Sequence, residues 1–138
     1  MPILTVTSGT KGLGTTTVAT NLAVVLARLD RRVIILDLAE TPGTVAQRLG
    51  ADTPPAGHES GGADRRTVLT AGPHGLRIRA PSGGGRPGRS AKTQAAGLAE
   101  SLRLAAAVAD FVVVDLPAGQ KTFNAVSALF ERVLVVTG

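Results

Sequence analysis

A chain of 138 residues with 43% apolar content is long enough for one compact domain with a real core, so wholesale disorder is excluded. It has no cysteine, which rules out disulfides and thiolate metal sites, and no apolar run approaches the ~20 residues of a membrane-spanning helix. The formal charge of +5 is carried mostly by Arg, and with three Phe, no Trp and no Tyr the core must be Val, Leu, Ile and Ala, a composition suited to a buried parallel sheet.

Residues 3–6 are apolar and β-branched and read as a first strand. No basic segment precedes an apolar stretch there, so no signal peptide is expected, and the expected location is the cytoplasm. Residues 18–29 read as a helix with Val18, Leu22, Val25, Leu26 and Leu29 as its apolar face. Val33, Ile34, Ile35 and Leu36 form a continuous run typical of a strand buried on both faces. The resulting strand–helix–strand unit should cross over right-handed. Thr41, Pro42 and Gly43 suggest a turn, followed by a short helix at 44–49. Residues 51–66 are rich in Gly and Pro and read as a loop; Val68 and Leu69 suggest a short strand, and 76–80 alternates as another. The stretch 81–90 is low in complexity and basic. A helix is expected at 95–109, with Leu98, Leu102, Ala105, Ala106 and Ala109 on one face. Phe111, Val112, Val113 and Val114 form a third buried strand, then a helix at 121–130 and a last apolar strand at 132–137. This order predicts one α/β domain over residues 1–138, a mainly parallel sheet with helices on both faces. An apolar strand at the end of the sequence leads to the expectation that the domain is truncated on its C-terminal side.

Chemistry gathers at three strand ends. The first strand runs into Ser8, Gly9, Thr10, Lys11, Gly12, Leu13, Gly14, Thr15, Thr16 and Thr17. Glycines between a strand and a helix N-terminus form a phosphate cradle, because main-chain amides and the helix dipole converge there. The spacing from Gly9 to Gly14, with a hydroxyl at Thr16, fits the pattern G-x-x-x-x-G-K-[ST] except that Thr15 stands at the lysine position. The second strand ends in Asp37, and the Phe111 strand ends in Asp115-Leu116-Pro117-Ala118-Gly119. Ligands of doubly wound sheets bind outside the carboxyl ends of the strands, so the loop, Asp37 and Asp115 should converge on one rim. A hydroxyl beside such a loop binds Mg²⁺ directly and a carboxylate holds it through water, which assigns Thr16 to the ion and Asp115 and Asp37 to its outer shell.

These segments resemble the N-terminal part of the deviant Walker A ATPases related to MinD and ParA. The family's K-G-G-x-G-K-[ST]-T loop matches Thr10-Lys11-Gly12-Leu13-Gly14-Thr15-Thr16-Thr17, its D-x-D segment matches Asp37-Leu38-Ala39, and its D-x-P-x-G segment matches Asp115-Leu116-Pro117-Ala118-Gly119. Asn21-Leu22-Ala23 is also similar to the family's first helix. The Gly14-Thr15-Thr16-Thr17 sequence is most similar to the CpaE/TadZ subgroup of Flp (Tad) pilus assembly. The resemblance implies a P-loop sheet with the Asp115 strand beside the first strand, binding of ATP and Mg²⁺, and a homodimer that localises pilus or secretion proteins. Gly9, Thr10, Lys11, Gly12, Leu13, Gly14, Thr15, Thr16 and Thr17 would hold nucleotide.

The departures bear on turnover. The family's signature lysine falls on Thr10, with Lys11 one place later; the P-loop lysine falls on Thr15; the second D-x-D carboxylate falls on Ala39. Phosphoryl transfer rests almost entirely on positioning and charge stabilisation, and one lost donor costs on the order of 3 kcal/mol, ~10²–10³ in rate. Hydrolysis is therefore expected to be weak or absent, with Asp37 the one weak catalytic candidate, while amide-mediated binding persists.

Arg65, Arg66, Arg77, Arg79, Arg86, Arg89 and Lys92 lie in and around the long loops. Phosphate contacts need no motif, but no aromatic residue lies near for base stacking, so a solvated basic surface is preferred to nucleic-acid binding. His58 and His74 sit in Gly/Pro loops without ligand spacing. Two further functional readings stand beside the nucleotide-controlled one: a localisation scaffold that no longer binds nucleotide, and a ParA-type partition ATPase.

Overall fold

The computed structural model describes residues 3–10, 12–38, 44–51, 69–79, 91–116 and 131–138, with the side chains of 91–97 excepted. The strands are β1 (Ile3–Ser8), β2 (Val33–Asp37), β3 (Leu69–Ala71), β4 (Arg77–Arg79), β5 (Phe111–Asp115) and β6 (Arg132–Val136). The helices are α1 (Thr15–Arg28), α2 (Thr44–Arg48) and α3 (Ala91–Val108). The expected turn at 41–43, helix at 121–130 and loops at 52–66 and 81–90 fall outside the described residues, as do Lys11, Ala39, Pro117, Ala118 and Gly119.

One six-stranded sheet has the order β3-β4-β2-β5-β1-β6. All neighbours are parallel except β3 and β4, which form an antiparallel hairpin at the edge. β5 lies beside β1 as expected, and β6 lies on the other side of β1. The continuous runs of β2 and β5 are buried on both faces because each face there is covered by helix, whereas Val133, Leu134 and Val135 of β6 are exposed. Val6, Val33, Ile35, Val113 and Ile78 pack against α1 and α2, while Ile34, Leu36, Val112 and Val114 pack against α3.

The α3 face is the expected one: Leu102, Ala105 and Ala109 are buried, with Leu98 and Ala106 packed beside them. The α1 face is a correction. Ala19, Thr20, Ala23 and Ala27 are buried, whereas Val18, Val25 and Leu29 are exposed and Leu22 and Leu26 only partly covered. The larger side chains set the periodicity, but small ones let the helix backbone approach β1, β2 and β5 closely. Thr20 tolerates burial because its hydroxyl donates back to the carbonyls of Thr16 and Thr17, at 2.8 and 3.1 Å. α1 ends in a Schellman arrangement: Asp30 takes the left-handed conformation (φ 57°), its amide bonds the Ala27 carbonyl, and the Arg31 amide bonds Leu26.

The two short strands expected at 68–69 and 76–80 pair as an antiparallel hairpin. Pro73–Gly75 makes a 3₁₀ turn in which His74 and Gly75 both have positive φ, 56° and 77°. This turn precedes β4 and so lies at the rim opposite the carboxyl ends of the parallel strands, which removes His74 from any role at the strand-end site. At that same far rim, Arg32 and Asp110 clamp the entries of β2 and β5. The Arg32 guanidinium meets the carboxylate at 3.0 Å, and the Arg32 amide donates to it at 2.8 Å.

Candidate phosphate and divalent-cation site

β1 delivers the chain to Ser8, whose hydroxyl donates to the Thr10 carbonyl at 2.7 Å and starts the turn. Gly12 and Gly14 have φ of 83° and 82°, a left-handed region that side chains rarely adopt, which is why glycine stands at both positions. Gly14 is also the N-cap of α1, its carbonyl accepting from the Val18 amide at 3.0 Å. No side chain caps this helix, and its first turn holds no acidic residue. The leading amides at Thr15, Thr16 and Thr17 therefore face outward at the positive end of the helix dipole, the arrangement that receives a phosphate.

The two acids arrive by strand register. β2 and β5 are parallel neighbours in which Asp37 is level with Asp115. On the far side of β5, Asp115 is level with Val6 of β1, which leads directly into the glycine turn. All three sequence motifs thus share one rim. Asp37 and Asp115 are both buried, at 1% and 2% exposure. The Thr16 hydroxyl donates to Asp115 Oδ2 at 2.7 Å, joining the first turn of α1 to the end of β5. Asp37 Oδ2 accepts from the Val45 amide at 3.3 Å, tying α2 to the end of β2.

Burial holds the Asp115 carboxyl above its ordinary value; the Thr16 hydrogen bond opposes this, the Asp37 charge adds to it, and the Arg48 charge opposes it. Two buried carboxylates side by side favour a cation. No group of three or more His, Asp or Glu gathers among the described residues. The donor set is therefore a hydroxyl and two carboxylates. That set suits Mg²⁺, which takes one or two protein carboxylates and completes its shell with water and substrate phosphates.

Of the residues named from the sequence, Gly9, Thr10, Gly12, Leu13, Gly14, Thr15, Thr16 and Thr17 all belong to the turn and the first turn of α1, with Asp37 and Asp115 beneath. Lys11 lies outside the described residues. One residue was missed. Arg48, on the last turn of α2, donates to Thr17 Oγ1 at 2.8 Å. No motif marks it, and only the packing of α2 against α1 brings it there.

No protein-family model matches the chain. It is 37% identical over 140 residues to the antiactivator FleN of Pseudomonas aeruginosa, an alignment taking in 97% of this chain and 50% of FleN. The septum site-determining protein MinD of Pyrococcus horikoshii, solved with Mg-ADP, superposes with a TM-score of 0.73 at 23% identity, covering 99% of this chain and 57% of MinD. A ParA family ATPase from Chlorobium tepidum superposes with a TM-score of 0.70 at 18% identity, over 97% of this chain and 59% of that one. The chain spans about half the length of the curated relatives it matches. The sheet order, the glycine turn with its paired acids, and the likeness to FleN, MinD and ParA lead to one placement: this chain has the fold of the MinD/ParA-like P-loop ATPases.

Proposed function

We propose that this chain is an ATP-binding protein of the MinD/ParA type with a degenerate P-loop, whose nucleotide state controls pairing with a second copy and localisation. Its hydrolysis is weak or absent. The observation that carries the reading is the Thr16 hydroxyl held 2.7 Å from buried Asp115 at the uncapped N-terminus of α1. The turn from Gly9 to Thr17 holds phosphates through main-chain amides, and Thr16, Asp37 and Asp115 hold Mg²⁺ that arrives with the nucleotide. That ion supplies neutralisation of phosphate charge. Thr15 offers a hydroxyl where a P-loop lysine would offer an ammonium, and this favours retained binding over turnover.

The Gly14-Thr15-Thr16-Thr17 sequence supports the CpaE/TadZ subgroup, and with it a role in Flp pilus or secretion assembly. MinD of Aquifex aeolicus is solved as a complex with MinC, which supports action through a protein partner. Among the described residues no helix is long and apolar enough to cross a membrane.

Isothermal titration with ATP and Mg²⁺ tests the reading directly. Heat saturating in the micromolar to millimolar range is the expected result. Absence of heat at millimolar ATP would leave the scaffold that no longer binds nucleotide. Salt-sensitive DNA retention would instead support a partition ATPase. The double variant Thr15→Lys, Ala39→Asp should raise ATP hydrolysis by at least tenfold, measured as phosphate release.

A further inference from the structure

Arg48 stands out as a cation delivered to the phosphate turn from outside the P-loop. It occupies the last turn of α2, which is fixed from two directions. Val45 and Ala46 are buried in the core beneath α1. Beyond Arg48 the helix closes at Gly50 (φ 62°), where the Gly50 amide bonds Gln47 and the Ala51 amide bonds Ala46. The backbone that carries Arg48 is thus held while its side chain remains exposed.

The guanidinium donates to Thr17 Oγ1 at 2.8 Å, and its charge also acts on the buried Asp115 carboxyl. A guanidinium has five N–H donors, so one bond to a hydroxyl leaves most of its capacity available. Thr16 donates to the carboxylate of Asp115, and its neighbour Thr17 accepts from Arg48, whose charge also acts on Asp115. The contact with Thr17 sets the guanidinium beside the first turn of α1, whose leading amides would receive an anion, and among the described residues Asp37 and Asp115 bring two buried carboxylates to the same rim.

We propose that Arg48 is a phosphate-binding residue of this site, supplying from α2 the positive charge that Thr15 does not supply from the turn, with a nucleoside di- or triphosphate as the ligand. The assignment rests on the nucleotide reading above. Because the contact is to the polyphosphate rather than to the metal, it operates with and without Mg²⁺. Because Arg48 is exposed, its contribution falls with ionic strength.

The experiment is calorimetric or fluorescence titration of the chain with ADP and ATP, in EDTA and in Mg²⁺, for the wild type, Arg48→Gln, Arg48→Ala and Gln47→Ala. Gln retains a donor for Thr17 but no charge, so it separates anchoring from phosphate binding. Arg48→Gln and Arg48→Ala should both weaken ADP and ATP by about tenfold or more, with or without Mg²⁺, while Gln47→Ala binds as the wild type. Adding Thr15→Lys should restore more affinity in the Arg48→Gln background than it adds to the wild type. Wild-type affinity in Arg48→Gln, or a loss in Arg48→Ala that Gln repairs, overturns the assignment and leaves the nucleotide reading intact. Failure of the wild type to bind either nucleotide overturns both.

Discussion

Replacing Thr16 by Val removes one hydroxyl and keeps the shape, so it isolates the bond to Asp115. That bond is 2.7 Å long and its acceptor is a carboxylate only 2% exposed. A hydrogen bond to a charged group contributes ~1.5–3 kcal/mol, and a buried acceptor left without its donor bears its desolvation cost. For a chain of this length the expected fall in Tm is about 5–10 °C near neutral pH. The pH dependence follows from burial, which raises the Asp115 carboxyl above its ordinary value of 3.8, while the Thr16 hydroxyl lowers it. A carboxyl raised in the folded state contributes stability at low pH and loses it as pH rises through its folded pKa. Without the hydroxyl that pKa rises further. The Thr16→Val deficit is therefore full at neutral pH and shrinks as pH falls toward 3.8. Thermal melts across that range, with Asp115→Asn and the double variant closing a cycle, measure the coupling. In the Asn background the cost should fall to ~0.5–1.5 kcal/mol, that of a neutral pair. A Thr16→Val protein as stable as the wild type at neutral pH, or a deficit that does not change with pH, would refute the argument.

Thr5 is fully buried in the middle of β1, and among the described residues its hydroxyl has no hydrogen-bond partner. Thr5→Val should therefore stabilise the protein by about 1 kcal/mol, seen as a higher Tm or denaturation midpoint; a loss would reveal a partner for the hydroxyl. Gly14→Ala meets no atom within 4 Å, so its cost is conformational alone: a left-handed residue at φ 82° should lower stability by ~1–2 kcal/mol in chemical denaturation. An Ala variant unchanged in stability would mean that the turn relaxes away from this geometry.

Much of the fold is legible in residue order. Val33, Ile34, Ile35 and Leu36, and Phe111 to Val114, declare themselves as interior strands because an uninterrupted apolar run can be satisfied only by cover on both faces. The glycines of the turn and the acids after two strands place the site on one rim, since parallel strands bring their carboxyl ends together. What a helix buries is not legible in the same way. In α1 the large apolar residues suggested one face, but the sheet accepted Ala19, Ala23 and Ala27, because close approach of backbones rewards small side chains and leaves Val25 and Leu29 in solvent. The antiparallel hairpin of β3 and β4 likewise depends on a turn whose conformation local composition did not single out.

Sequence alone therefore determined the class of fold and the convergence of the glycine turn and the two acids on one rim, because these follow from periodicity and from the strand-end rule. Tertiary structure alone decided that Asp37 and Asp115 stand level on adjacent strands, that Thr16 joins the latter, and that Arg48 reaches Thr17 from a separate helix. The physical reason is that register and helix docking are set by the packing of residues far apart in the chain, which no local pattern encodes.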